Sequence, residues 1–288
     1  MVKQSEVFIM TYAITVDNLY KSYDQHPVLK GISFTINKGE IFALLGMNGA
    51  GKTTTLECIE GLLKIDKGRV LIHGTCGVQL QNSSLPKNMK VIEALQYFAK
   101  WANTTLNKDL LHQLDIHHFM NKQYYQLSTG QKRKLHLAIS LLNNPDILIL
   151  DEPTSGLDVE GRILIHKEIK KLKELNKTII LASHDLQEVQ ELCDRVAIIK
   201  DGEIAFLDTC DKLINDQQYH LSIQFSSLPI LRNIQYQMHN HTFQFTTSNI
   251  EDTLQLILEQ VYPQQISIIN IKLESDIQSR FLDYAKGE

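Results

Sequence analysis

One stretch leaves this chain little freedom. Ile41-Phe42-Ala43-Leu44-Leu45 runs directly into Gly46-Met47-Asn48-Gly49-Ala50-Gly51-Lys52-Thr53-Thr54. A continuously apolar pentapeptide is the mark of a strand buried on both faces, and such a strand needs helices on each side of a parallel sheet. The segment after it fits G-x-x-x-x-G-K-[ST] at every fixed position, and a helical pattern follows from about Gly51 to Leu62. Glycines let the backbone wrap an anion without Cβ clashes, so that successive N–H groups point inward as a nest. The helix adds its positive dipole end. In such a loop Lys52 neutralises the β- and γ-phosphates of a nucleoside triphosphate, and the Thr53 hydroxyl ligates Mg²⁺.

A second apolar run, Ile147-Leu148-Ile149-Leu150, ends in Asp151-Glu152. Carboxylates at the C-terminal end of a central strand sit over the same crevice as the phosphate loop. Asp151 is then placed to hold Mg²⁺, directly or through water. Glu152 is placed to polarise an attacking water as general base, a role typically worth about 10²–10⁴ in rate.

Further buried-strand runs stand at Thr178–Ala182 and Val196–Ile199, separated by helical patterns at Thr129–Leu142 and Val159–Leu175. Strands alternating with helices predict a parallel sheet covered by helices. Ahead of them, Ala13–Leu19 alternates and reads as an edge strand, and 31–36 alternates likewise. The texture changes near Asn215-Asp216-Gln217-Gln218. Beyond it the sequence predicts a hairpin of Ile234–Met238 with Thr242–Thr246, a helix Ile250–Val261, a strand Ile266–Ile271 and a last helix Ile277–Ala285. The division expected is a tail at 1–10, a main domain at 11–215 with a helical subdomain at about 91–142, and a small α+β appendix at 219–288.

Composition excludes several classes. The 288 residues carry a net charge of −4, with no Lys/Arg block that would mark a nucleic-acid footprint. Cys58, Cys76, Cys193 and Cys210 form no C-x-x-C pair, so neither a zinc site nor a disulfide framework is signalled. The histidine pair His117-His118 reads as surface or capping. No apolar run approaches the ~18–20 residues that cross a bilayer, so work at a membrane requires docking to another chain.

Three more segments narrow the family. Leu127-Ser128-Thr129-Gly130-Gln131 resembles the ABC signature LSGGQ, Asp151–Asp158 resembles that family's Walker B and D-loop, and Ser183-His184-Asp185 stands where it carries its switch histidine. The chain thus resembles the ABC transporter ATP-binding proteins over about residues 11–210, with the motifs in the family's order. The resemblance implies an α/β P-loop NTPase core of ABC ATPase type with an antiparallel β edge, a helical subdomain and the C-terminal appendix. It implies ATP and Mg²⁺ as cofactors, with His184 bonded to the γ-phosphate and Tyr23 (or Tyr20) stacked on adenine. Gln81, with Gln79 competing, is implied at Mg²⁺ and the attacking water. Ser128 reads as an N-cap. The resemblance implies that Ser128, Gly130 and Gln131 contact the γ-phosphate of an opposite subunit, with Asp158 coupling the two sites. The partners implied are a second copy or a homologous ATPase, closed head-to-tail around two ATPs, and an integral membrane permease at the cytoplasmic face.

Two departures stand out: Thr129 where glycine is usual, and a shortened stretch from Gly74 to Gly77. The ending, Leu273 through Tyr284, resembles those of bacterial drug- and lantibiotic-export ATPases. An exporter subunit is therefore expected. An importer ATPase, or a soluble switch with a non-membrane partner, is the alternative.

Overall fold

The computed structural model describes residues 12–79, 84–215, 219–239 and 242–275. Two long strands, β1 (Tyr12–Tyr23) and β2 (His26–Asn37), pair antiparallel, and β4 (Lys67–Ile72), which follows the phosphate loop and its helix, pairs with the other side of β1. β1 is therefore the centre of a three-stranded sheet, not the edge strand its alternation suggests. Alternation reports which face is wet and says nothing about which edges are paired.

The second sheet has the order β5-β6-β7-β3-β8-β9. It comprises β3 (Ile41–Leu45), β5 (Cys76–Gln79), β6 (Ile147–Asp151), β7 (Thr178–Ser183), β8 (Arg195–Lys200) and β9 (Glu203–Thr209). Neighbours are parallel except β8–β9, a hairpin. Every residue of β3, β6 and β7 is buried, as their apolar runs require. The helices are α1 (Lys52–Ile59), α2 (Val91–Trp101), α3 (Lys108–Gln113), α4 (Thr129–Ser140), α5 (Val159–Glu174) and α6 (Leu186–Leu192). One apolar cluster joins the two sheets, and in it Phe34 stacks on Phe42 at 5.2 Å. α2 buries Val91, Ala94, Leu95 and Ala99 on one face and leaves Tyr97 and Trp101 exposed on the other.

The chain divides into two compact units, Met1–Cys210 and Asp211–Glu288. The second has an antiparallel sheet of order β11-β12-β10-β13, made of β10 (Tyr219–Phe225), β11 (Gln237–His239), β12 (Thr242–Thr247) and β13 (Ile268–Ser275). Helix α7 (Ile250–Val261) covers it, burying Ile257 and Val261 with Leu221, Ile223, Phe243 and Phe245. The expected hairpin exists, but its first strand is only Gln237–His239, and the strand expected at Ile266–Ile271 runs Ile268–Ser275. The expected helix Ile277–Ala285 lies outside the described residues.

Two features of the first unit have measurable consequences. In β5, a Cβ on Gly77 would lie 2.0 Å from the Ser140 carbonyl oxygen and 2.8 Å from Pro145 Cγ. Gly77→Ala should destabilise the protein by about 1–3 kcal/mol through overpacking, read as a lower melting temperature. An unchanged melt would mean that the end of α4 can back away from β5. The second feature is His166 on α5, which is buried, with Nδ1 3.0 Å from Glu191 Oε2 and Nε2 3.4 Å from Glu188 Oε1. Burial alone would lower its pKa, but Glu188 and Glu191 outweigh burial and raise it. The fold thus favours the protonated ring. That stability is fully present below the unfolded value of about 6.5 and is lost as pH rises through the raised one. Melting curves between about pH 5.5 and 9 should show wild type and His166→Gln converging as pH rises. A gap that stays constant with pH would rule out this titration.

Candidate functional site

Parallel pairing brings three strand ends level. Leu45 stands opposite Ser183, and Asp151 opposite Ala182. The phosphate loop leaves β3 at Gly46, where an added Cβ would lie 2.5 Å from the Ile199 carbonyl oxygen, so backbone of β8 excludes any side chain. Gly51 closes the loop at φ 109°, a left-handed conformation open to glycine, with Leu29 Cδ2 2.7 Å from where a Cβ would sit. No side chain caps α1, so its first N–H groups face the loop. Met47, Asn48 and Gly49 are exposed at the tip, Ala50 is buried beneath it, and Thr54 is half-buried.

Lys52 is buried, and its ammonium donates to the carbonyl oxygens of Gly46 (2.8 Å) and Met47 (3.2 Å). Burial pulls its pKa down, while Glu152 and Asp151 push it back up. Asp151 shows the converse: burial raises its pKa, opposed by the hydrogen bond from the Thr53 hydroxyl to Oδ2 at 3.0 Å. Its other oxygen, Oδ1, is buried without a hydrogen-bond partner among the described residues. A hydroxyl oxygen beside an unpaired buried carboxylate oxygen is the hard donor set that Mg²⁺ takes, so the residues present fit this ion.

Glu152 sits at the turn after β6 with φ 47°, left-handed backbone that a glutamate rarely adopts. Its N–H donates to the Ala182 carbonyl at 3.0 Å, and its Oε1 lies 3.1 Å from Nδ1 of His184. The structure therefore brings Lys52, Thr53, Asp151, Glu152 and His184 to one end of one sheet.

Ser128, Gly130, Gln131 and Asp158 gather elsewhere. With Thr129 and Leu157 they line a groove of about 580 Å³ whose walls include none of Gly46–Thr53. Ser128 caps α4: its hydroxyl accepts from the Gln131 N–H at 3.2 Å, and the Gln131 side chain accepts from the Ser128 N–H at 3.2 Å. Asp158 caps α5 by accepting from the Gly161 N–H at 2.8 Å. Thr129, the departure from glycine, is exposed at the first position of α4 and disturbs neither cap. Tyr23 is 44% exposed at the end of β1, with the Lys21 ammonium 5.5 Å from its ring centre. Gln81 lies outside the described residues, while Gln79 ends β5 and is buried.

The sequence reading missed several groups. Glu60, at the end of α1, has its carboxyl pushed up to about 7 by burial, with Asp151 and Glu57 adding to it. Arg133 on α4 donates to the Ser155 carbonyl at 3.2 Å, tying that helix to the turn after Glu152. Asp115, His117 and His118 hold their donor atoms within 4.8 Å of one another, and Asp115 also pairs with Lys134 at 3.3 Å. Nothing in the one-dimensional spacing distinguishes these from ordinary surface charge.

The family model described as ABC transporter matches residues 29–155. An ABC transporter ATP-binding protein of Methanocaldococcus jannaschii is 40% identical over 210 residues, 69% of this chain and 80% of the relative. The Nod factor export ATP-binding protein I of Burkholderia lata is 36% identical over 203 residues, 64% of this chain and 67% of the relative. Among solved structures, cbiO1 from Clostridium perfringens, part of an ABC transporter complex, is 31% identical with a TM-score of 0.62, over 70% of this chain and 90% of that one. A phosphate loop, two acids and a histidine at the level ends of parallel strands, together with these likenesses, place the chain in the ABC transporter ATP-binding protein family, as an ATPase subunit of such a transporter.

Proposed function

We propose that this chain is the motor subunit of an exporter, converting ATP hydrolysis into movement of a separate membrane permease. The observation that carries the catalytic part is the 3.1 Å contact of Glu152 with His184, made beside the Thr53–Asp151 pair. We assign this work to residues 11–215, with 219–288 as an appendix.

The residues divide the task by their chemistry. The Gly46–Thr54 backbone and the Lys52 ammonium bind the phosphates, and a buried cation gains most from a partner of opposite charge where water is excluded. Tyr23 supplies a flat, exposed ring for the base. Thr53 Oγ1 and Asp151 Oδ1 would hold Mg²⁺, with Gln81 as a further ligand. When bound, this ion neutralises charge on the phosphates. Glu152 accepts a proton from the attacking water at its carboxylate. His184, hydrogen-bonded to that carboxylate, orients it and reaches the γ-phosphate. Ser128, Gly130 and Gln131 present the N-terminus of α4 to the γ-phosphate held by a second subunit, and Asp158 couples the two sites. The separation of the signature groove from the phosphate loop within one chain supports this division.

Among the described residues no helix is long and apolar enough to cross a membrane. The permease in this reading is a separate chain that this one meets at the cytoplasmic face. The name of the Burkholderia lata relative supports export as the direction.

Two outcomes are expected. Glu152→Gln should slow ATP turnover by about 10²-fold or more and accumulate as an ATP-bound dimer in size-exclusion chromatography; near-normal turnover would remove Glu152 as the base. Affinity capture of the chain from detergent-solubilised membranes of its own cell, read by mass spectrometry, should return a stoichiometric multi-span protein without an ATPase domain of its own. Recovery of a soluble partner alone would overturn the reading of a separate membrane permease.

A further inference from the structure

Glu188, in the first turn of α6, is only 2% exposed, and among the described residues no lysine or arginine pairs with it. Burying an ionised carboxylate is costly unless both oxygens find partners. Here they do, and on different segments. Oε1 accepts the Thr154 hydroxyl at 2.7 Å, and Oε2 accepts the Ser183 hydroxyl at 2.6 Å. His166 Nε2 stands 3.4 Å from Oε1. The Ser183 oxygen in turn accepts from the Asp185 N–H at 3.0 Å. Bonds to a charged acceptor at these lengths are of the stronger kind.

The two hydroxyls mark the segments that matter. Thr154 follows Glu152 across Pro153, and Ser183 immediately precedes His184. Glu152 and His184 meet at 3.1 Å. A closed circuit results: Glu152, along the chain to Thr154, through Glu188 to Ser183, along the chain to His184, and back to Glu152. Glu152 also holds a left-handed φ of 47°. Such a conformation persists only where its surroundings over-determine it. The Ala182 carbonyl holds Glu152 from its N–H, and the grip on Thr154 holds the chain just beyond it.

We propose that Glu188 is a positioning residue for ATP hydrolysis: its carboxylate sets the separation of Glu152 and His184 by gripping the segment that leaves one and enters the other. It touches neither nucleotide nor attacking water. The inference rests on the catalytic reading of Glu152 and His184. It predicts a larger effect on turnover than on ATP binding, because Lys52 and the phosphate loop lie outside the circuit and only His184 within it reaches the nucleotide. A carboxylate supplies two acceptor oxygens, whereas a glutamine supplies one and a leucine none.

The test measures kcat, KM and affinity for a fluorescent ATP analogue on the full chain, with melting curves to normalise for folded protein. Glu188→Leu should lower kcat about tenfold or more, the scale on which misplaced catalytic groups act, with KM and analogue affinity within about threefold of wild type. Glu188→Gln should restore part of the loss. Thr154→Val and Ser183→Ala, which remove one hydroxyl each with little change of volume, should each lower kcat, and together should cost no more than Glu188→Leu. They carry the test if Glu188→Leu fails to fold. In a Glu152→Gln background, Glu188→Leu should add nothing. If kcat per folded molecule is unchanged across the series while only the melt falls, Glu188 is structural and the proposal is overturned. A slow Glu152→Gln with unaffected Thr154 and Ser183 variants sinks the positioning role alone. Normal turnover by Glu152→Gln sinks the catalytic reading, and this inference with it.

Discussion

The hydrogen bonds that pair β7 with β3 on one side and with β6 on the other set Leu45 opposite Ser183 and Asp151 opposite Ala182, so the ends of the three strands lie within one residue of one another. Leu45, Asp151 and Ser183 are each the last of their strand, and each is followed by a chemical group: the phosphate loop, Glu152 and His184. Slipping one residue would exchange the side chains packed on the two faces of each strand, each fitted to its own neighbours in a close-packed interior. Apolar burial on both faces therefore does more than stabilise. It fixes where the polar ends meet. The stacked pair Phe34–Phe42 and the shared core extend the same constraint to the antiparallel sheet.

Electrostatics at that meeting point are poised by burial. Lys52 and Asp151 are both buried, and burial drives their pKa values in opposite directions, each toward neutrality. Each charge therefore gains by keeping the other close. The Thr53 hydroxyl occupies one oxygen of Asp151 and leaves the other unpaired in a dry setting, an arrangement that favours a cation. The left-handed turn at Glu152 aims its carboxylate at His184. Tertiary contacts from β7, α4 and α6 converge on the few residues around that turn: Ala182 on Glu152, Glu188 on Thr154 and Arg133 on Ser155. The strained residue is thus held at its own N–H and at the chain just beyond it.

The signature groove follows different physics. Ser128 and Gln131 cap each other's N–H groups, and Asp158 caps α5, so both loops are set by bonds within their own helix ends. The first turn of α4 needs nothing from the phosphate loop of its own chain to keep its shape. A surface so preformed leaves little ordering to be done on binding.

Much of this was legible in one dimension because the signals are local. A loop that must wrap an anion needs glycines beside a lysine and a hydroxyl, and strands buried on both faces must be uniformly apolar; both rules act over fewer than about ten residues. The phosphate loop and Asp151-Glu152 were readable for that reason, the Ser128 cap from its residue type ahead of a helical pattern, and Ser183-His184 only from resemblance to the family. Pairing partners were not. β1 alternates as an edge strand would, yet β4 covers its second edge, and Tyr219–Phe225 becomes an inner strand of the C-terminal sheet without having been read as one. Glu188 is the sharpest case. In sequence it is one more glutamate in a helix's first turn, where such residues are common. Only the folding of Thr154 and Ser183 against its two oxygens makes it a bridge. The sequence by itself determined which chemical groups exist and which strands carry them; the tertiary structure alone decided which distant groups share one carboxylate, because burial and hydrogen-bond partnership depend on neighbours that arrive from elsewhere in the chain.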